Sequence, residues 1–340
     1  MTWTAWETNL QISTERFLTW RKRRRIAKKE KQKKKNPILD WAEAIGSAVL
    51  IVLLINQYLL QAYQIPSPSM VSTLQVGDRI FVNKLVYGPE LIPGMVKIPG
   101  FDVPRRGQVI IFESPEYLSM GPAKDILQRV LYMVTLSLVD IDRDENGNPK
   151  HHFLIKRAVG VEGDRIRLRE GNVDYLLPGE SDWIPEESVK KDLGFDYHIR
   201  RTFSVDQYPA FRKAGMAIAL EDAGLPVPED VKKAASGIVG FSRDKEGRLS
   251  WQYVAYNDTY YVDQWRSRTR WALEPYNAAP REDWRTHDGG IPVPLGRIFP
   301  MGDNRDDSRD ARYFGAVKTD KVLGRALVLY WPLGRLGGIR

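Results

Sequence analysis

Phe153-Leu-Ile-Lys-Arg-Ala-Val-Gly-Val161 is rich in Val, Ile and Leu and holds no turn former before Gly160, so it reads as a β-strand. Strict alternation puts Phe153, Ile155, Arg157 and Val159 on one face and Leu154, Lys156 and Ala158 on the other. Lys156 therefore lies among apolar neighbours. Burial disfavours the charged form of an amine, so a lysine there has either a buried partner or a lowered pKa. Lowering it by about two to three pH units costs roughly 3–4 kcal/mol, a cost that makes sense where a neutral amine is needed as a general base. A solvated lysine on an edge strand is the other reading of these residues by themselves.

Outward from this strand the pattern repeats. Arg79–Asn83 (RIFVN), Gln108–Phe112 (QVIIF), Arg165–Leu168 (RIRL) and Ala326–Trp331 (ALVLYW) are short, apolar and punctuated by Gly and Pro at Gly77-Asp78, Gly88-Pro89, Arg106-Gly107 and Gly163-Asp164. A mainly β domain is expected over 64–169 and 295–340. Between them, 170–294 changes character. FRKAGMAIALEDAG and PEDVKKAAS have helical spacing, with Pro-Glu-Asp placed like a helix start, whereas WQYVAY and TYYVDQW alternate. This region is expected to be an inserted mixed α/β subdomain.

Ahead of the β domain, Ala44–Tyr63 (AIGSAVLIVLLINQYLLQAY) carries no charge over twenty residues, enough for a helix to span a bilayer's hydrocarbon core of about 30 Å. Just before it, Arg21–Lys35 holds eleven Lys/Arg and one Glu, a local net of +10 against +8 for the entire chain. The rest of the chain is thus near neutral, which argues against a nucleic-acid-binding face. The block instead fits the cytoplasmic flank of a membrane anchor and contact with anionic lipids. The expected organisation is a basic cytoplasmic segment at 1–40, an uncleaved single transmembrane helix at 41–63, and everything after Gln64 on the outer side. Ile126–Val139 is too short to span and contains Arg129, so it reads as an interfacial or core element.

The chain has 340 residues, no cysteine and only four histidines, which excludes disulfide scaffolds, thiolate metal sites and cysteine nucleophiles. Asp142-Arg-Asp-Glu-Asn-Gly147 begins like a calcium loop, but Phe153 stands where the twelfth-position Glu belongs, so a hairpin turn at Asn146-Gly147 is preferred. His151 and His152 are sequence neighbours and would point to opposite faces of a strand. No metal or cofactor is expected.

Two further segments carry chemical groups. In Gln64-Ile-Pro-Ser-Pro-Ser-Met70, Pro66 and Pro68 fix their own φ and bias their predecessors to extended geometry, so Ser69 is either presented in a defined direction or part of a simple juxtamembrane turn. Met301-Gly-Asp-Asn-Arg-Asp-Asp-Ser-Arg-Asp-Ala-Arg-Tyr-Phe-Gly315 packs Asp, Asn and Arg into one loop, whose charges can pair internally, as Asp310 with Arg312. It can buttress a site, lie on the surface, or bind a metal, the last disfavoured by its arginines.

Taken together, in this order and behind a single anchor, these segments resemble the bacterial type I signal peptidases, membrane-bound Ser/Lys endopeptidases. The resemblance is carried by separated blocks: Pro66–Met70, Gly77–Gly88, Arg106–Phe112, Lys156–Gly160 with Gly163-Asp164, and Gly302–Gly315. It implies that Ser69 is the nucleophile and Lys156 its neutral general base. It implies an oxyanion hole from the Ser69 N–H and the Ser67 hydroxyl, with Ser308 supporting the lysine and Asp310 and Arg312 forming a structural ion pair. The implied substrate is an exported preprotein whose signal peptide presents small residues before the cleaved bond, and the implied location is the inner membrane with the catalytic domain on the periplasmic side. Met70, Ile80, Val82 and Ile155 are candidates for pocket or membrane-facing surface, with core packing the stronger reading for most of them. Three positions depart from the family pattern: Gln108 where Asp is frequent, Val161-Glu162 where Leu-Pro is usual, and Asp307 where Asn is frequent.

The competing readings are a membrane-anchored binding or scaffold protein that keeps the fold without activity, a nucleic-acid-binding protein using Arg21–Lys35, and an autoproteolytic repressor. Retention of both Ser69 and Lys156 disfavours the first. The apolar run disfavours the others.

Overall fold

A computed structural model describes residues 12, 14–26, 37–92, 96–117, 121, 124–128, 131, 135, 141, 152–243, 249–253 and 260–339. The basic block is described only as far as residue 26. Most of Ile126–Val139, the Asp142–Gly147 turn and His151 lie outside the described residues.

The uncharged run is two elements. Helix α1 spans Pro37–Tyr58, and strand β1 spans Leu60–Gln64. Within α1, Asp40–Tyr58 is long and apolar enough to cross a membrane, and almost none of it is buried. Its nineteen residues reach about 28 Å. The helix within the 41–63 stretch ends at Tyr58, about five residues before the end of that stretch. Gln57 in the last turn donates to the Glu90 carbonyl (2.7 Å), and Leu60–Gln64 is claimed by antiparallel pairing with Arg79–Asn83, strand β2. Hydropathy alone does not register that partner, which lies more than a dozen residues away.

The following strands are β3 (Glu90–Ile92), β4 (Val96–Lys97), β5 (Val109–Glu113), β6 (Phe153–Gly160), β7 (Arg165–Arg169), β8 (Asn172–Leu176) and β9 (Ile184–Pro185). Helices α2 (Glu186–Asp192), α3 (Tyr208–Asp222) and α4 (Glu229–Ala235) follow, then β10 (Val239–Arg243) and β11 (Leu249–Tyr253). Helices α5 (Tyr260–Leu273) and α6 (Ala278–Gly289) lead to β12 (Ile291–Pro292) and β13 (Arg297–Met301). The chain closes with α7 (Ala311–Phe314), β14 (Val317–Lys318), β15 (Val322–Trp331) and β16 (Gly337–Gly338). The five stretches read as strands from their residue types match β2, β5, β6, β7 and β15 to within a residue at their ends, apart from Ala326–Trp331, which lies inside β15.

The main sheet has the order β1-β2-β15-β5-β6-β13-β14, with β16 on β15. Every pairing in it is antiparallel. Both faces of β6 are covered, as the alternation implied: Ile155 packs with Tyr63, Met70, Ile80 and Val82, while Leu154 and Ala158 pack with Ile110 and Phe112. β2 is paired on both edges, by β1 and β15, and its Ile80 and Val82 have no exposed surface. Those two residues are core, not pocket or membrane-facing surface.

The boundary expected at residue 170 falls inside the β7–β8 hairpin, and β12 returns from the far end of the region to pair with β7. One hydrophobic core joins Phe211, Ile218 and Tyr261 of the expected insertion to Val159, Phe299 and Met301 of the main sheet. The region is thus built onto the sheet rather than closed on its own core. TYYVDQW, read as alternating, is the first half of α5. Its buried residues, Tyr260, Tyr261, Val262 and Gln264, lie at its N-terminal end, sunk into the core on most sides. Gly215 of α3 admits α5 closely, since a Cβ there would lie 2.4 Å from the Val262 carbonyl oxygen.

Candidate active site

Just beyond β1, Pro66 and Pro68 bring the chain into a single 3-10 turn, Pro68–Met70. Ser67 enters it in extended geometry, and Ser69 and Met70 are buried by it. β6 brings Lys156 to the same place from 87 positions further along the sequence. Lys156 Nζ lies 2.7 Å from Ser69 Oγ and donates to the Ile155 carbonyl at 3.1 Å. Ser67 Oγ is 3.3 Å from Ser69 Oγ. Lys156 is only 3% exposed. Burial pushes its amine down to about 8; Asp310 and Asp303 pull it upward against that effect, and Arg312 pushes it down.

A cavity of about 330 Å³ opens over these groups, lined by residues 65–70, 153–156 and 307–309. Met70 and Ile155, two of the four candidate pocket residues, line it. Its wall at 153–156 is the part of β6 that has β5 on one edge and no partner on the other among the described residues, because β13 joins β6 only from Arg157 onward.

The loop that the sequence left open among buttress, surface and metal site is buried. Asp303, Asn304, Arg305, Asp306, Ser308, Asp310 and Arg312 all lie in the interior. Each interior carboxylate of the loop meets a guanidinium: Asp310 with Arg312 (2.8 Å), Asp303 with Arg157 (2.7 Å) and Asp306 with Arg201 (3.0 Å). Burial opposes ionisation of Asp310. Arg312, with hydrogen bonds donated by Arg312, Gly302 and Ser308, outweighs it and holds the carboxyl below the usual carboxylate range. The Ser308 hydroxyl donates to Asp310 at 2.8 Å, so its link to Lys156 runs through that carboxylate's charge. Arg157, adjacent to Lys156, also donates to the Gly107 carbonyl (2.6 Å) and to Thr73 Oγ1 (3.2 Å). Two successive residues of one strand thus reach the Pro68–Met70 turn and the loop beneath it.

Sequence reasoning passed over three groups here. Asn304 donates its backbone N–H to the Ser69 carbonyl (3.0 Å) and its side-chain Nδ2 to the Pro68 carbonyl (3.1 Å). Glu186, 119 positions away, holds Arg305 by two contacts of 2.6 Å. Gly302 leaves room that a Cβ would fill, 2.2 Å from Ser308 Oγ and 2.5 Å from the Ser69 carbonyl oxygen. Only the glycine and the loop's polar density carried a signal in one dimension.

A family model described as signal peptidase, peptidase S26, matches residues 38–176 and 244–331. Signal peptidase I of Haemophilus influenzae is 26% identical over 317 residues, covering 90% of this chain and 76% of its own. That of Aquifex aeolicus is 26% identical over 292 residues (83% and 80%), and that of Buchnera aphidicola from Acyrthosiphon pisum is 25% identical over 336 residues (91% and 84%).

Proposed function

As a member of the signal peptidase family, peptidase S26, this chain cleaves signal peptides from preproteins, and we propose that Ser69 and Lys156 are the pair that does so. The observation that supports this reading is the 2.7 Å separation of Nζ and Oγ around an amine that burial favours as neutral. A neutral amine keeps an N–H on the Ile155 carbonyl and turns its lone pair to the Ser69 hydroxyl. It accepts the hydroxyl proton as Oγ attacks the scissile carbonyl carbon. The tetrahedral oxyanion is held by the Ser69 N–H and the Ser67 hydroxyl. Collapse breaks the C–N bond, and the lysine proton passes to the leaving amine. Water, deprotonated by the same amine, then attacks the acyl-enzyme and releases the signal peptide's new carboxylate.

The substrate, in this reading, lies extended along the open edge of residues 153–156 and places alternate side chains toward Met70 and Ile155. In this reading the subsites beside those residues are shallow, so only small side chains fit before the cleaved bond. Ser69 follows the last residue of α1 by eleven positions, which suits a bond lying close to a bilayer. The basic block sits on the cytoplasmic side, where it meets anionic lipids, and the β domain on the periplasmic side.

Detergent-solubilised protein incubated with a preprotein carrying alanine at the last and third-last signal-peptide positions is expected to yield a single cut at the junction, read by mass spectrometry. Phe at either position is expected to block it. An intact alanine preprotein, or equal cleavage of the Phe forms, overturns the reading.

A further inference from the structure

The reading of Ser69 as nucleophile leaves open what fixes the direction of its N–H. The Pro68 C=O and the Ser69 N–H belong to one planar peptide and point opposite ways, so gripping the carbonyl aims the N–H. The carbonyl is gripped twice: by the Val71 N–H within the turn (3.0 Å) and by Asn304 Nδ2 from outside it (3.1 Å). The next peptide plane is held by the same residue, since the Asn304 N–H donates to the Ser69 carbonyl at 3.0 Å. One asparagine therefore holds the planes on both sides of Ser69 and so its φ and ψ.

We propose that Asn304 is a positioning residue whose side-chain amide aims the Ser69 N–H at the oxyanion of the tetrahedral intermediate, and that the 198–203 segment exists in part to hold Asn304 in place. This inference rests on the Ser69–Lys156 reading and deepens it.

Asn304 is 4% exposed, and its Oδ1 is buried with no hydrogen-bond partner among the described residues. Rotating the amide by half a turn would set Oδ1 against the Pro68 carbonyl, oxygen to oxygen, so the orientation is fixed by the turn it serves. An interior amide that satisfies its donor and not its acceptor is not optimised for stability. It is kept where the donor has a task.

The backing comes from the region after β8. Arg200 donates its N–H to the Asp303 carbonyl (2.9 Å) and accepts from the Arg305 N–H (3.1 Å), bracketing Asn304 in a one-residue parallel bridge. On either side, Asp306 accepts from the Thr202 and Phe203 N–H groups, and Ser72 Oγ donates to the His198 carbonyl (3.2 Å). Segment 198–203 thus touches both the loop and the chain just past the nucleophile turn. The region that looks like an insertion in sequence is the back wall of the nucleophile.

Asn304→Leu fills the same space, keeps the backbone N–H and removes the side-chain donor. Its kcat on a preprotein is expected to fall about 10- to 100-fold with KM within threefold of wild type and Tm unchanged or raised. The acid limb of its pH profile is expected to stay in place, since Lys156 is untouched. Its affinity for a peptide aldehyde, which forms a tetrahedral adduct on Ser69, is expected to fall by the same factor as kcat. Asn304→Ala, which also opens a gap, is expected to show the same kcat loss with a lower Tm. A kcat within threefold of wild type in Asn304→Leu overturns the inference, as does a loss carried by KM alone or unaccompanied by weaker aldehyde binding. Ser69→Ala tests the underlying reading separately: if it cleaves, the nucleophile assignment falls, whereas Asn304 variants at full kcat overturn only the role given to Asn304.

Discussion

Ser69→Ala and Lys156→Met are each expected to lower kcat by about 10⁴-fold or more, because either change removes one half of a proton transfer that the other half cannot perform alone. Lys156→Met is also expected to make the protein more stable at neutral pH. The native amine titrates at about 8 and the unfolded one at 10.5. Below pH 8 both states bind the proton and the fold bears the full cost of burying it. Between 8 and 10.5 the unfolded chain binds a proton that the native state has released, so stability rises with pH. Above 10.5 the cost is gone. At pH 7 the burden is about 3 kcal/mol, which Met, of similar length and apolar, does not carry. Thermal or urea unfolding should show Lys156→Met above wild type at pH 7 and the gap closing as pH rises past 8. A variant that is less stable than wild type at pH 7 contradicts a lysine whose charged form is buried at a cost.

Gly302→Ala is expected to lower kcat by about 100-fold and stability by about 1–3 kcal/mol. The added methyl would sit 2.2 Å from Ser308 Oγ and 2.5 Å from the Ser69 carbonyl oxygen. The hydroxyl can rotate aside, but only by leaving Asp310. The carbonyl is backbone and moves only if the nucleophile turn moves, and a displacement of an ångström at a nucleophile costs orders of magnitude. Gly237→Ala, where a Cβ meets nothing within 4 Å, is the control and should leave kcat and Tm unchanged. Equal activity of the two variants would mean that the loop beneath Ser69 is slack.

Much of this site was legible because its groups lie in compact segments with local signals. Pro66 and Pro68 mark a restricted segment around Ser69, and the alternation in β6 puts Lys156 among apolar residues. What stayed hidden depends on distant partners. Leu60–Gln64 reads as the end of an apolar helix until β2 offers it hydrogen bonds. Ile80 and Val82 read as candidates for pocket or membrane-facing surface until β1 and β15 are seen to flank them. TYYVDQW reads as an alternating stretch, yet from Tyr260 onward it forms the start of α5. Arg305 and Glu186 find each other across 119 positions, and Asn304 serves a turn 236 positions before it. Charge and periodicity describe a residue's own neighbourhood, so a residue whose function lies in gripping a remote backbone carbonyl leaves no mark on either.

The central claim is that the amine beside Ser69 works uncharged. The pH dependence of kcat/KM for preprotein cleavage, measured from pH 5 to 10 at constant ionic strength, reads it directly. The rate is expected to fall about tenfold per pH unit below an acid limb near 8, the value to which burial lowers Lys156, and to level off above it. A limb near 10.5, the ordinary value of a lysine, would contradict a desolvated base, and a flat profile through 8 would mean that Lys156 takes no proton in the reaction.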